Sequence, residues 1–142
     1  MAGFPGEGER EFENTFSLLR DLPVSYMHIF PFSKRRGTLA AGYGAQASPG
    51  AIKDRCRRLK ALDGLKRAAF HGSFIGKPSE VLVELARDEK TGLLKGRARN
   101  YIRVSAEGED SLKNTLVKLR LAGTDENGMM GVACQPASAP LI

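Results

Sequence analysis

The chain carries two hydrophobic rhythms, one before about residue 76 and another after it. Phe12, Phe16 and Leu19 fall at i, i+4 and i+7, a single apolar helical face behind Glu7, Glu9, Glu11 and Glu13. Acidic side chains at the start of a helix favour the positive end of its dipole. Asp21-Leu22-Pro23 ends that helix, because the residue before a proline avoids helical angles. The next run, Val24-Ser25-Tyr26-Met27-His28-Ile29-Phe30, is nearly continuously apolar and rich in strand formers, the pattern of a strand buried on both faces. Such a strand needs parallel neighbours, and no other helix–strand unit flanks it. It reads as a piece of a larger α/β domain; pairing with another subunit and toleration on the surface are the alternatives.

After an irregular stretch holding Lys34-Arg35-Arg36, Ser48 offers an N-cap and Pro49 suits a first helical position. A helix over about 49–74 follows, with Ile52, Cys56, Leu59, Leu62, Leu65 and Ala69 along one side. Gly64 costs it about 1 kcal/mol relative to Ala and marks a place for a kink. Gly72 and Gly76-Lys77-Pro78 mark its end. From Glu80 the period becomes two, giving candidate strands at 80–87, 93–99, 101–105, 115–122 and 129–135. Asp88-Glu89-Lys90-Thr91-Gly92, Gly108 and Asn127-Gly128 punctuate them. Five short strands spaced by turns suggest a small antiparallel barrel of the OB kind, closed or half-closed. The fold class is therefore α+β: helix, strand and long basic helix over 1–71, a five-stranded barrel over 72–137, and a loose tail at 138–142.

Composition narrows the function classes. Apolar residues make up 42% of the 142, enough for a core. No apolar run approaches the ~18–20 residues of a membrane span, and the first residues lack the basic start of a secretory signal. Two cysteines are too few for a disulfide scaffold, so a reducing, cytoplasmic setting is expected. The net charge of +6 favours a polyanionic partner. That charge is local. Residues 1–47 and 79–142 are each neutral, whereas 48–78 hold eight basic side chains against Asp54 and Asp63.

Little in the sequence suggests catalysis. Gly3-Phe4-Pro5-Gly6-Glu7-Gly8 lacks the spacing of a nucleotide-binding loop and reads as a strand-to-helix turn. His28 and His71 have no acid or Cys at ligand spacing, and Cys56 and Cys134 read as small buried hydrophobes. The barrel is more informative. Lys95, Arg97 and Arg99 share strand parity and hence one face, which Arg103 continues beyond Asn100 and Tyr101. Lys118 and Arg120 alternate with apolar residues on another strand. Cations contact phosphates, while Asn and Tyr can read or stack on an unpaired base. A merely solvated barrel face is the rival reading, and Glu107, Glu109 and Asp110 cancel the net charge nearby.

These residues together resemble the C-terminal part of a radical-SAM tRNA methylthiotransferase, over nearly the whole chain. Gly3-Phe4-Pro5-Gly6-Glu7, with Phe12 and Thr15, is similar to that family's GFPGE turn and following helix. His28-Ile29-Phe30-Pro31-Phe32-Ser33, Arg35, Gly37, Thr38 and Ala40-Ala41 resemble its HVFPYSPRPGTPAA stretch, with Lys34, Arg36 and Leu39 replacing prolines. From about Gly72 the barrel resembles a TRAM domain. Its Gly96, Asn100-Tyr101-Ile102 and Val104 resemble the G-x-x-x-N-Y-I-x-V stretch of the branch acting on threonylcarbamoyladenosine.

The resemblance implies an enzyme that methylthiolates adenine C2 beside the anticodon of tRNA, using two 4Fe-4S clusters and S-adenosylmethionine. It implies tRNA as partner, together with a cysteine-bearing N-terminal portion of the same enzyme. The radical cluster of such enzymes needs a C-x-x-x-C-x-x-C triad and the auxiliary cluster three more cysteines, whereas 77 residues separate the two present here. The chain by itself is thus expected to be inactive in methylthiolation and to keep RNA binding. A stand-alone RNA-binding or RNA-chaperone module is the alternative, and a structural protein whose basic helix docks on an acidic partner is a third.

Overall fold

The computed structural model describes residues 1–125 and 128–134. Two units divide the chain, Met1–Ala68 and a second from Ala69 onward.

In the first unit, helix α1 (Glu9–Asp21) starts where Glu11 accepts the Gly8 N–H at 3.0 Å. It ends at Leu22, just ahead of Pro23, as the proline requires. The preceding turn needs its glycines. Gly3 has φ 83° and a Cβ there would run into Ile52, while Gly6 has φ 87°. Helix α2 (Pro49–Gly72) opens with Ser48 Oγ accepting the Ala51 N–H at 3.2 Å, and it passes Gly64 without a break. Phe12 and Ala2 are completely buried against Cys56 and Leu59, with Phe16, Leu19, Ile29 and Ile52 around them. Leu65, expected on the apolar side, is exposed instead. A 3.6-residue helix carries a three-residue repeat off its buried face.

The stretch 24–30 departs from its expected state. It runs extended, but it joins no ladder and is not buried on both faces. Its end makes one parallel bridge, between Ala2 and Pro31. Tyr26, His28 and Phe30 are exposed, whereas Met27 and Ile29 are half-buried. An extended segment with a neighbour at one end alone can cover only one of its faces.

The second unit is a closed barrel of β1 (Pro78–Val83), β2 (Leu94–Ala98), β3 (Arg103–Ala106), β4 (Leu116–Thr124) and β5 (Met129–Ala133), in the order β1-β2-β3-β5-β4. One pair, β3 with β5, is parallel, where an antiparallel barrel was expected; the other four are antiparallel. β1 begins and ends earlier than expected. β3 starts at Arg103 rather than Tyr101, since Tyr101 belongs to the turn. Alternate residues fill the interior: Val81, Ala98, Ile102, Val104, Ala106, Leu119, Leu121 and Met129, with Phe70 and Phe74 packed against them. Gly96 also faces inward, and a Cβ there would lie 2.5 Å from the Leu82 carbonyl oxygen. The strand candidate 129–135 ends at Ala133; Gln135, Asn127 of the preceding turn and the tail 138–142 lie outside the described residues.

The loop from β1 to β2 is held by Asp88, whose Oδ1 accepts from the Lys90 and Thr91 N–H groups and the Thr91 hydroxyl. The Thr91 bonds, chiefly the one from its N–H, hold the Asp88 carboxyl below the usual carboxylate range. This stabilisation is present above the unfolded carboxylate pKa and disappears as pH falls through the depressed value. The protection of the Lys90 and Thr91 amides, taken relative to their intrinsic exchange rate at each pH, should therefore fall in acid, and Asp88→Asn should remove that pH dependence.

Candidate nucleic-acid interface

Most of the excess charge of the chain lies in α2, and most of the basic side chains there are engaged inside the first unit. Arg55, 6% exposed, donates through Nη1 to the Glu7 carbonyl at 2.8 Å and to Glu7 Oε2 at 3.2 Å. Glu7 Oε2 also accepts the Gly3 N–H, so one carboxylate ties the turn to α2. Arg58 bridges Glu9 and Glu13, and its guanidinium lies 4.7 Å from the Phe12 ring centroid and 5.0 Å from that of Phe16. The hydrogen bond that Arg58 donates to Glu13 leads the effects that raise the Arg58 pKa. Lys66 Nζ donates to the Arg20 and Leu22 carbonyls, at 2.8 and 2.6 Å, where α1 ends. Arg67 pairs with Asp63 at 3.0 Å and Arg57 with Asp54. The glutamates thus serve as partners for α2 as well as for the α1 dipole.

Beside α2 lies a concavity of about 700 Å³ with an apolar floor of Ile29, Pro31, Phe32, Ile52 and Cys56. Its polar lining is Lys53, Arg57 and Lys60. No carboxylate or imidazole lines it, so it lacks an acid–base pair.

The barrel exterior is where cations, an amide and an aromatic converge. Strand register sets the arrangement. Arg97 lies directly opposite Arg103, and Arg99 falls beside Glu80, which in turn faces Lys118 on β4. Lys95 and Arg97 approach Glu84 at 3.9 and 4.0 Å, and Arg99 pairs with Glu80 at 2.8 Å. The acids that temper this face therefore come from β1 and from Glu84 just after it. The alternation of Glu80, Leu82 and Glu84 carried that signal, and reading the basic strands alone missed it. Arg103 and Lys118 are exposed and make no ion pair among the described residues. Arg120 Nη1 donates to the Gly76 carbonyl at 2.8 Å, so its guanidinium is partly spent on a turn.

Arg99, Asn100 and Tyr101 form the tip between β2 and β3. The Tyr101 N–H bonds to the Ala98 carbonyl and the Ala98 N–H to the Ile102 carbonyl, a three-residue hairpin loop. That geometry puts its last residue in the left-handed region, and Tyr101 has φ 65° there with 75% of its surface exposed. Asn100 is half-buried, and its Oδ1 accepts the Ile102 N–H at 3.4 Å, which assigns it to shaping the turn. Arg97 Nη1 reaches the Tyr101 carbonyl at 3.4 Å.

Neither cysteine fits a metal cluster. Cys56 is buried in the first unit's apolar cluster, Cys134 follows β5 in the second, and two thiolates fall short of a cluster's ligand set. Among the described residues, no group of three or more His, Cys, Asp or Glu could hold a metal ion. No helix there is long and apolar enough to cross a membrane.

The second unit is thus a small closed barrel carrying a cationic, aromatic-tipped hairpin, and the first is largely helical. Comparison with known proteins links the chain to tRNA methylthiotransferases. It is 35% identical over 131 residues to a tRNA-2-methylthio-N(6)-dimethylallyladenosine synthase of Desulfitobacterium hafniense, covering 92% of this chain and 29% of that protein. It is 39% identical over 108 residues to the threonylcarbamoyladenosine tRNA methylthiotransferase MtaB of Aquifex aeolicus, covering 76% and 25%. The corresponding protein of Bacillus subtilis is 30% identical over 123 residues, covering 85% and 27%. The chain thus spans under a third of the length of the curated relatives it matches. No protein-family model matches it.

Proposed function

We propose that this chain is the tRNA-binding, C-terminal portion of a tRNA methylthiotransferase, with a TRAM-like barrel gripping the anticodon region. The observation that carries the proposal is the β2–β3 hairpin: Tyr101 stands exposed at φ 65° while Arg97 and Arg103 lie directly opposite each other beneath it. Like charges directly opposite destabilise a sheet, and a bulky side chain in the left-handed region costs about 1–3 kcal/mol. Both costs make sense if a phosphate sits between the guanidiniums and a base stacks on the ring. Lys95, Arg99 and Lys118 widen the cationic surface, Asn100 fixes the turn and Arg120 joins from β4.

The Asn100-Tyr101-Ile102 stretch supports threonylcarbamoyladenosine as the modified base, against the dimethylallyladenosine of other relatives. The reaction, methylthiolation of adenine C2, belongs to the longer enzyme with its clusters and S-adenosylmethionine. This chain supplies no cluster ligand set, so by itself it binds without catalysing, in the cytoplasm.

Fluorescence anisotropy with a labelled anticodon stem-loop tests the reading. Tyr101→Gly should raise the melting temperature, because glycine accepts φ 65° without strain, while weakening binding by about 1–3 kcal/mol. A structural tyrosine would lower both together, and unaltered affinity would remove Tyr101 from the interface. Stem-loops carrying threonylcarbamoyl or dimethylallyl groups on the adenine then discriminate the two acceptors.

A further inference from the structure

The Arg97–Arg103 opposition continues sideways across the sheet. Register sets Leu82 on β1 directly opposite Arg97, and Leu116 on β4 directly opposite Leu82. One row thus crosses four strands as Leu116, Leu82, Arg97 and Arg103, all exposed on the barrel exterior. With strands about 4.8 Å apart, that row is about 14 Å long. Leu82 is 49% exposed and Leu116 64%. Single exposed leucines are ordinary, but two that abut and lead into a pair of arginines need a cause. Sheet strength does not call for them, since β-branched residues suit an exposed strand position better. Charged side chains bound the pair along the strands. Glu80 and Lys118, themselves opposite each other, lie to one side, and Glu84 lies beyond Leu82 on the other.

We infer that Leu82 and Leu116 form a subsite for a second unpaired base of the RNA, separate from the base at Tyr101. The arginine pair lies between the two places. Arg97 Nη1 reaches the Tyr101 carbonyl at 3.4 Å, and Leu82 is its next neighbour across the sheet. A nucleotide offers both matching surfaces at once, a charged phosphate and a base with apolar faces. In a duplex those faces are stacked on neighbouring pairs and closed to side chains, so the leucines select unpaired nucleotides. Leucine side chains carry no donor or acceptor, so the subsite holds any base rather than reading one. The inference rests on RNA binding by the barrel and adds the kind of RNA: two unpaired bases flanking one phosphate.

The test changes Leu82→Thr and Leu116→Thr together in the full chain and follows anisotropy of the labelled anticodon stem-loop across a salt series. Affinity should fall about tenfold, the scale for two partly exposed leucines that RNA no longer covers. The slope of log K on log salt should stay as it was, because no cation is lost. Melting temperature should hold, since threonine suits a strand. Leu82→Ile with Leu116→Ile should keep the original affinity. A fully paired duplex of the same length should bind the unmodified chain and the threonine variant alike. Equal stem-loop affinity of those two proteins would overturn the inference and leave the leucines to a protein partner. A loss of the same size on the duplex would overturn it too, as would a salt slope that falls with affinity. Failure of the unmodified chain to bind the stem-loop would overturn the proposed function along with this subsite, so the two failures are told apart.

Discussion

Arg55→Ala should destabilise the first unit by about 3–5 kcal/mol, the scale for removing one member of a buried ion pair. The cost arises from what is left behind. Glu7, largely buried, would keep the Gly3 N–H but lose its counter-charge, and the Glu7 carbonyl would lose its 2.8 Å donor. Phe12 would lose a guanidinium 5.4 Å from its ring centroid. Hydrogen exchange should show Glu9–Asp21 losing protection while Leu94–Ala98 and Leu116–Thr124 keep theirs. Arg57→Ala is the control, since its partner Asp54 is solvated and an exposed pair contributes about 0–1 kcal/mol. A small effect at Arg55 equal to that at Arg57 would mean that Glu7 relaxes into water and that the pair does not hold the turn.

The second large effect concerns the barrel face. Changing Arg97, Arg99 and Arg103 together to Ala should weaken stem-loop binding by roughly ten- to a hundredfold near 0.1–0.2 M salt and flatten the dependence of log K on log salt by about two to three units. Stability should change little, because removing the Arg97–Arg103 opposition relieves repulsion while Glu80 and Glu84 lose only exposed partners. Melting temperature and salt titration are read on the same protein. An unchanged salt slope would show that these cations face solvent and that the RNA contact lies elsewhere.

Much of this architecture was legible in the residues because each element had a local cause. The acidic start, the i, i+4, i+7 apolar face and Pro23 bound α1, and Ser48-Pro49 placed the start of α2. Period-two alternation with turn residues yielded five strands in the right order along the chain. What stayed hidden was pairing across the sequence. Nothing local announces that Glu9 and Glu13 meet Arg58 about 45 residues on, so the basic block read as an open surface. Likewise Glu80 and Glu84 fell beside the arginines only once β1 lay against β2. The parallel β3–β5 contact that helps close the barrel is equally non-local. Tyr101 was found as a chemical candidate, but its left-handed backbone follows from the loop length, which strand boundaries misplaced by two residues concealed.

Barrel closure has a consequence for behaviour at high concentration. A sheet joined end to end has no free rim, so the described strands of the second unit offer no template for side-by-side stacking of chains. In the first unit that hazard is concentrated in the extended segment 24–30, which joins no ladder and where exposed Tyr26 and Phe30 flank His28. Lys34, Arg35 and Arg36 follow a few residues later, fully hydrated and of one sign, and they stand as gatekeepers against self-assembly. Neutralising them should make the protein precipitate through residues 26–30, with the barrel still folded inside the aggregate.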